Sequence, residues 1–163
     1  MTADAVITTA FWKHLRSDRT VMLGLEASAP TTLRPMTAQL DAEADQGPIW
    51  FFTSTDSAIV QGLNSQDLAI FTFVSKGFDV FATVHGHMTR ITDRATIDRL
   101  WNPWVAAWYD GGKDDPEMAL LRFDPASAEI WRNGSGLLAG LKLLFGGDPK
   151  AEFKADVAKI SLS

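Results

Sequence analysis

Short apolar stretches separated by turn residues run through most of this chain, and the pattern predicts a protein built mainly of β-strands. Strands are expected at Thr20–Ala27, Thr32–Gln39, Ile49–Thr53, Leu68–Ser75, Asp79–Thr92, Met118–Phe123 and Ala128–Arg132. Helices are expected at Thr2–Leu15, Ser57–Leu63, Asp93–Leu100, Val105–Tyr109 and Leu137–Phe145. Because hairpin-length loops join most strands, the pattern favours an antiparallel barrel with peripheral helices, of the mainly β (α+β) class, over a parallel doubly wound sheet.

Alternation along the longest predicted strand assigns its two faces. One face is expected to carry Val80, Ala82, Val84 and Met88, and the other Thr83, His85, His87 and Thr89. Gly86 interrupts the strand and is expected to allow a bend or bulge. Further along, Asp124-Pro125 is expected to form a turn between two strands, and the last residues are either a strand or a loose tail.

Composition limits the classes of function. With 163 residues, of which 46% are apolar, the chain is expected to form one domain, residues 1–163, around a substantial core. Its net charge of −5 and its scattered basic residues argue against nucleic-acid binding, which needs a basic surface. The lack of cysteine excludes disulfides and thiolate chemistry. No segment is long and apolar enough for a membrane span and no secretory signal is present, so a cytoplasmic protein without a membrane partner is expected.

One strand-to-helix junction has the composition of a site for a ring and a phosphate. The aromatic strand Ile49–Thr53 gives way to the hydroxyl residues Thr53, Ser54 and Ser57 where a helix is expected to begin. A helix N-terminus exposes unpaired N–H groups at the positive end of the helix dipole. Aromatic side chains such as Phe52 would contact a flat ring while hydroxyls and amides bind its phosphate, as for flavin mononucleotide (FMN). The alternative is a strand followed by an ordinary capped helix.

A second candidate is the strand segment Arg34-Pro35-Met36-Thr37. A proline within a strand indicates an edge, or a place where no ladder hydrogen bond is needed, and it leaves neighbouring backbone groups free for a ligand. The alternative is an ordinary edge strand with a solvated arginine.

Aromatic residues cluster in a third segment. Trp101, Trp104 and Trp108 recur at helical spacing, which is typical both of a core or dimer-interface stripe and of a cofactor wall. His85 and His87 share a strand face, but a metal site usually needs three or four ligands, so a solvated face is favoured and no metal is expected. Nucleophile-elbow, phosphate-loop and dinucleotide-binding motifs are all absent from the sequence, and no catalytic residue stands out.

Several segments together carry a resemblance to a known family. They are Arg-Pro-Met at 34–36, Trp-Phe-Phe-Thr-Ser at 50–54, and Leu-Trp-Asn-Pro at 100–103 followed by Gly-Lys-Asp-Asp-Pro at 112–116. From about Phe11 to Trp131 the sequence resembles the general stress protein 26-like branch of the pyridoxamine 5'-phosphate oxidase-like, FMN-binding split-barrel superfamily. The resemblance implies an antiparallel Greek-key split β-barrel that forms a homodimer, with FMN in clefts between the subunits.

The resemblance also implies which residues bind the flavin. The matching positions are Arg34, Pro35, Met36, Thr37, Phe52, Thr53, Ser54 and Ser57, with Trp108 as a wall of the cleft. It further places Lys113 where it would reach an anionic substrate and Trp131 where it would close the cleft.

This sequence departs from the family's pattern at the basic positions. Thr55 stands where Arg or Lys is common, and Ile59 stands where Lys is expected, so Arg34 and Lys76 are the best substitutes. A charge-assisted hydrogen bond contributes ~1.5–3 kcal/mol, so its loss would weaken FMN binding by about ten- to a hundred-fold. An open cleft would also accept FAD, with the adenosine half in solvent.

The leading hypothesis is therefore an FMN-binding flavoprotein of the general stress type, in which any oxidoreductase chemistry belongs to the flavin. A second hypothesis is a non-catalytic flavin-binding or redox-sensing stress protein, and a third is a split-barrel dimer that has lost its cofactor. A true pyridoxamine-phosphate oxidase is not expected, because the additional basic residues for its substrate phosphate have no counterpart here.

Overall fold

The elements are given by a computed structural model that describes residues 2–26, 31–41, 45–64, 67–133, 144, 146 and 157–163. The helices are α1 (Ala3–Asp18), α2 (Ala58–Gly62), α3 (Arg94–Leu100) and α4 (Pro103–Ala106), with a short 3-10 helix at Gly112–Asp114. The strands are β1 (Thr20–Leu25), β2 (Arg34–Thr37), β3 (Gln39–Leu40), β4 (Ile49–Ser54), β5 (Asp67–Val74), β6 (Val80–Ile91), β7 (Met118–Arg132) and β8 (Val157–Ser161).

The strands form one curled antiparallel sheet. The order is β2-β1-β5-β6-β7-β4-β3, and β8 pairs with β7 outside this path. Strands β2 and β3 lie at opposite ends of that order, yet only Ala38 separates them along the chain. The two edges must therefore approach each other, and the sheet closes into a half-barrel. This confirms the predicted fold class, an antiparallel split barrel with peripheral helices.

The predicted strand Thr32–Gln39 is wrong as a single element. Its first part, β2, pairs with β1, whereas β3 pairs with β4. Ala38 makes the switch: it is fully buried, and its N–H donates to the Arg19 carbonyl at 2.7 Å. The seam between the two sheet edges lies at this residue.

The turn predicted at Asp124-Pro125 is also wrong, because β7 runs unbroken through it. Pro125 lies opposite Gly86 of β6, and the register shifts between His85 and Gly86. A Cβ at Gly86 would collide with the Asp124 carbonyl oxygen, so only glycine lets the strands approach this closely. The expected bulge at Gly86 is thus confirmed, and it accommodates a proline that cannot donate to the ladder.

Two apolar clusters lie on opposite sides of the sheet. The larger fills the barrel interior and is covered by α1, where Phe11 packs edge-on against Phe73 with ring centroids 6.1 Å apart. The smaller lies outside β4 and β7 and anchors α3 and α4; its members are Trp50, Ile97, Leu100, Val105, Tyr109, Met118 and Leu120. As expected, Val80, Ala82, Val84 and Met88 face the interior.

Side-chain caps fix where the helices begin. Ser57 accepts from the backbone N–H of Val60 and caps α2, and Asp93 accepts from that of Thr96 and caps α3. The helix predicted at Leu137–Phe145 falls largely outside the described residues, but the C-terminal segment is a strand, β8. Among the described residues, no helix has both the length and the apolar character that crossing a bilayer requires.

Candidate functional site

A cleft of about 350 Å³ opens at the seam of the barrel. Segments distant in sequence form its walls: the start of β1, the edge strand β2 with β3, the end of β4, and α4 with the turn after it. The lining residues are Thr20, Arg34, Pro35, Met36, Thr37, Gln39, Phe52, Thr53, Ser54, Trp104, Val105, Trp108 and Tyr109. This volume lies near the lower end of the range for small-molecule sites, ~300–1,000 Å³.

The first wall is the edge strand β2. Met36 turns into the core at 7% exposure, while Arg34, Pro35 and Thr37 are exposed. Because β2 ends the sheet, Pro35 interrupts no ladder on its outer side, as the sequence predicts.

The second wall is the end of β4, which is held between β7 and the seam. Phe52 is half-buried, Thr53 is buried and Ser54 is exposed, so the strand leaves the core within three residues. The ring of Phe52 packs edge-on against Trp101, with centroids 5.9 Å apart. This contact joins the second wall to the segment that forms the third.

The third wall is α4 and the turn that follows it. Asn102 caps α4 by accepting from the N–H groups of Trp104 and Val105 at 3.0 and 3.1 Å, and its amide donates to Gln39 at 3.2 Å. Trp104 and Trp108 are 82% and 83% exposed. Tryptophans this exposed at the mouth of a cleft present large apolar surfaces for a ligand or a partner to cover.

Two titratable side chains line the cleft in the described part of the chain, Arg34 and Tyr109. Burial raises the pKa of Tyr109, and a hydrogen bond with the Ser54 side chain opposes that shift only in part. Tyr109 is therefore a neutral hydrogen-bonding group at physiological pH, and Arg34 supplies the positive charge.

Most of the residues that the sequence predicts for the site meet in this one cleft. They are Arg34, Pro35, Met36, Thr37, Phe52, Thr53, Ser54 and Trp108. Ser57 does not line it, because its side chain is buried and caps α2. Lys76 does not line it either; it is exposed in the β5–β6 turn, where its backbone N–H donates to Asp18 at 2.7 Å.

The position expected to carry a lysine lies in the core. Ile59 is 4% exposed and belongs to the interior cluster, so its side chain packs within the barrel. Helix α2 also has only five residues, and a helix this short provides little dipole for a phosphate. The Ile59 side chain therefore does not face the cleft, and a phosphate site at the start of this helix stays a prediction.

Other lining residues have only weak sequence signals. Thr20, Gln39 and Tyr109 reach the cleft through strand pairing and helix packing, which no local pattern encodes. Lys113 does not line the cleft; its ammonium lies 2.9 Å from Asp98. On the far side of β6, His85 pairs with Glu26, and the described residues contain no metal-binding group of three or more His, Cys, Asp or Glu.

The sequence profile of the family described as pyridoxamine 5'-phosphate oxidase like matches residues 7–146, most of the chain. The chain belongs to this family. A general stress family protein of Xanthomonas campestris pv. campestris has a crystal structure with a TM-score of 0.77 and 54% identity, over 86% of this chain and 96% of that one. This confirms the recognition from sequence.

Two further proteins extend the comparison. The general stress FMN/FAD binding protein of Xanthomonas citri is 53% identical over 83% of this chain and 95% of that one, with a TM-score of 0.76. The protein bli-3 of Neurospora crassa is 28% identical over 86 residues, 48% of this chain and 41% of bli-3, so the match spans less than half of that protein's length.

Proposed function

We propose that this member of the family is a flavin-binding protein of the general stress type and that the seam cleft holds the flavin. The observation that carries the proposal is the meeting of three distant segments around one cleft, where apolar side chains lie beside the cation of Arg34. A general stress protein that is 53% identical is described as binding FMN or FAD, which supports the same assignment.

The side chains present fit a flavin. Pro35, Phe52, Trp104 and Trp108 supply apolar surface for a flat ring, while Thr53 and Ser54 bring hydroxyls next to it. Arg34 and Thr37, on β2, would bind the phosphate. When bound, the flavin supplies hydride or electron transfer, and these residues supply orientation and exclusion of water.

A binding or redox-sensing role is the second candidate, and the chemistry of the lining favours it over proton-transfer catalysis. Arg34 is always charged, and the raised pKa of Tyr109 keeps its proton. Among the described residues the cleft is lined by no His, Asp, Glu, Lys or Cys, the side chains that most often act as acid–base catalysts beside Tyr. Any turnover would therefore depend on the flavin and a second substrate.

We also propose that the protein is a homodimer. The outer face of β1, β5 and β6 exposes the apolar side chains of Met22, Leu68, Val74 and Phe81, and Phe78 is exposed in the β5–β6 turn beside it. Met22 pairs directly with Pro35, so this face continues into the cleft. A second copy on this face would adjoin the flavin and cover surface that a monomer leaves in water.

Titration of flavins tests the first proposal. FMN and riboflavin are added to the protein, and flavin fluorescence and tryptophan quenching are followed; no saturable signal at high micromolar FMN would refute it. In Arg34→Met we expect FMN affinity to fall about ten-fold and riboflavin affinity to stay constant. Lys76→Met is the matched control, because Lys76 lies outside the cleft. Loss in that variant instead would put the phosphate at the β5–β6 turn.

Light scattering tests the proposed homodimer and should give about twice the mass of one chain. Val74→Glu places a charge on the apolar face and should yield monomers. Val6→Glu, at an exposed valine on α1, should leave the dimer intact. A monomeric wild-type protein at micromolar concentration would refute the dimer.

A further inference from the structure

Four charged side chains connect α3 with the 3-10 helix at Gly112–Asp114. Arg94 pairs with Asp114 and, at 3.1 Å, with Asp98; Asp98 also accepts from Lys113 at 2.9 Å. The order is Asp114–Arg94–Asp98–Lys113, so each inner member lies between two opposite charges. We name these four residues the ionic clamp.

The clamp joins the two ends of the segment that forms the third wall of the cleft. Between its arms the chain carries α4 and the turn after it, and in residues 103–111 only Val105 and Tyr109 are buried. Trp104 and Trp108 project from the same segment and are almost fully exposed. Val105 and Tyr109 anchor this wall in the smaller apolar cluster, but the rest of the segment is exposed, and a largely exposed element is the kind that opens locally while the rest of the fold persists.

The electrostatics of the clamp are consistent with mutual stabilisation. Lys113 lowers the pKa of Asp98, and Asp114 raises the pKa of Arg94. All four side chains are partly or largely exposed, so each pair contributes little to global stability. A small contribution is sufficient to change the rate of a local opening, because residues 103–111 are exposed apart from Val105 and Tyr109.

We propose that Arg94, Asp98, Lys113 and Asp114 are positioning residues of the cleft, which hold the Trp104–Trp108 wall closed and make ligand retention dependent on ionic strength. Among the described residues, the ion pairs of the clamp involve no lining side chain of β2 or β4, so we expect it to act through the position of α4. The identity of the ligand rests on the proposed flavin binding, but the motion of the wall does not. Salt at ~1 M reduces the Debye length to ~3 Å and would release the clamp without any substitution.

Hydrogen exchange measures the opening of the wall without a ligand. The amides of Trp108 and Gly112 are useful probes, since they donate to Val105 and Tyr109 within the wall at 3.0 Å. In Asp98→Asn and Lys113→Met we expect their exchange to accelerate about two- to five-fold, with an unchanged thermal midpoint. Wild-type protein at ~1 M salt should approach the rate of the variants, which should themselves respond little to salt.

Two control variants separate the clamp from general charge effects. Lys113→Arg keeps the cation and should retain the wild-type exchange rate. Asp110→Asn removes one negative charge from the same segment outside the clamp and should also leave it unchanged. Unchanged exchange in both Asp98→Asn and Lys113→Met would overturn the proposal, and so would an equal acceleration in Asp110→Asn.

Dissociation of riboflavin tests the consequence for the ligand. Riboflavin has no phosphate, so its release does not depend on Arg34, and we expect it to leave Asp98→Asn about two- to five-fold faster than wild type. Riboflavin that binds but leaves both proteins at the same rate would overturn the proposal. If no flavin binds to wild type, the proposed function fails, while the exchange experiment still decides whether the clamp holds the wall.

Discussion

Replacing Ile59 with lysine tests whether a flavin phosphate would bind beside α2, as the family pattern implies, or at β2, as proposed above. By family pattern, a lysine here would add a phosphate contact, but the side chain is 4% exposed within the interior cluster. Burial of an isoleucine side chain contributes ~1.5–3 kcal/mol, which Ile59→Lys forfeits in part even if the ammonium reaches solvent. If the amine stays buried, its pKa falls by ~3–5 units at ~1.36 kcal/mol each, or ~4–7 kcal/mol. We therefore expect a loss that exceeds that of a neutral substitution of similar size and reaches ~4–7 kcal/mol if the amine stays buried.

Urea unfolding followed by tryptophan fluorescence measures this loss in the free energy of unfolding. Ile59→Met is the matched control: it has a similar volume without a charge and should cost less than ~1.5 kcal/mol. Below the unfolding transition, the ratio of FMN to riboflavin affinity should be the same in Ile59→Lys and wild type. A variant of undiminished stability that gains affinity for FMN but not for riboflavin would refute the reasoning and place the phosphate beside α2.

Two further predictions concern the cleft and the pairing of β6 with β7. Tyr109 is the only tyrosine in the chain, so tyrosinate absorbance reports it alone; its midpoint should lie above 10.0 and rise further in Ser54→Ala, which removes the opposing hydrogen bond. The raised pKa means that the folded state holds the Tyr109 proton more tightly than the unfolded state does. The stability that comes from this difference should be intact below pH ~10, and the free energy of unfolding should fall as the pH rises from there through the folded pKa. Gly86→Ala should cost ~1–3 kcal/mol in urea unfolding, since the new Cβ meets the Asp124 carbonyl, whereas Gly62→Ala, with its nearest side-chain neighbour at 3.4 Å, should cost far less.

Local patterns in the sequence were sufficient for the fold class but not for the seam. The alternation of residues 80–89 predicted which face of β6 is buried, because strand period is a local property. The change of sheet edge at Ala38 depends on which strands pair across the barrel, and nothing in residues 32–39 encodes that. Likewise, the local sequence around Pro125 predicts a turn, and only its pairing with Gly86 on β6 shows that the strand continues.

For the candidate site as well, local signals could be predicted from the sequence and tertiary contacts could not. Edge-strand chemistry around Pro35 and the aromatic-to-hydroxyl change after Phe52 are local signals, and both segments reach the cleft. The roles of Ser57 and Ile59 depend on which side of the short helix α2 faces the core. The Ser57 hydroxyl caps the helix, and the side chain at position 59, where the family pattern has a lysine, packs in the interior cluster. Exposure of Trp108 and the pairing of Lys113 with Asp98 likewise follow from tertiary structure.

The distribution of charge around the cleft bears on what the site recognises. Several basic residues near its walls are paired with carboxylates: Lys113 with Asp98, Arg99 with Asp41, and Arg122 with Asp124. Arg34 is the cation that lines the cleft in the described part of the chain. If the proposed function is correct, the ring therefore contributes most of the affinity, and the phosphate adds about what one partly exposed arginine supplies. FMN should then exceed riboflavin by about ten-fold rather than by several orders of magnitude, and FAD should bind comparably to FMN.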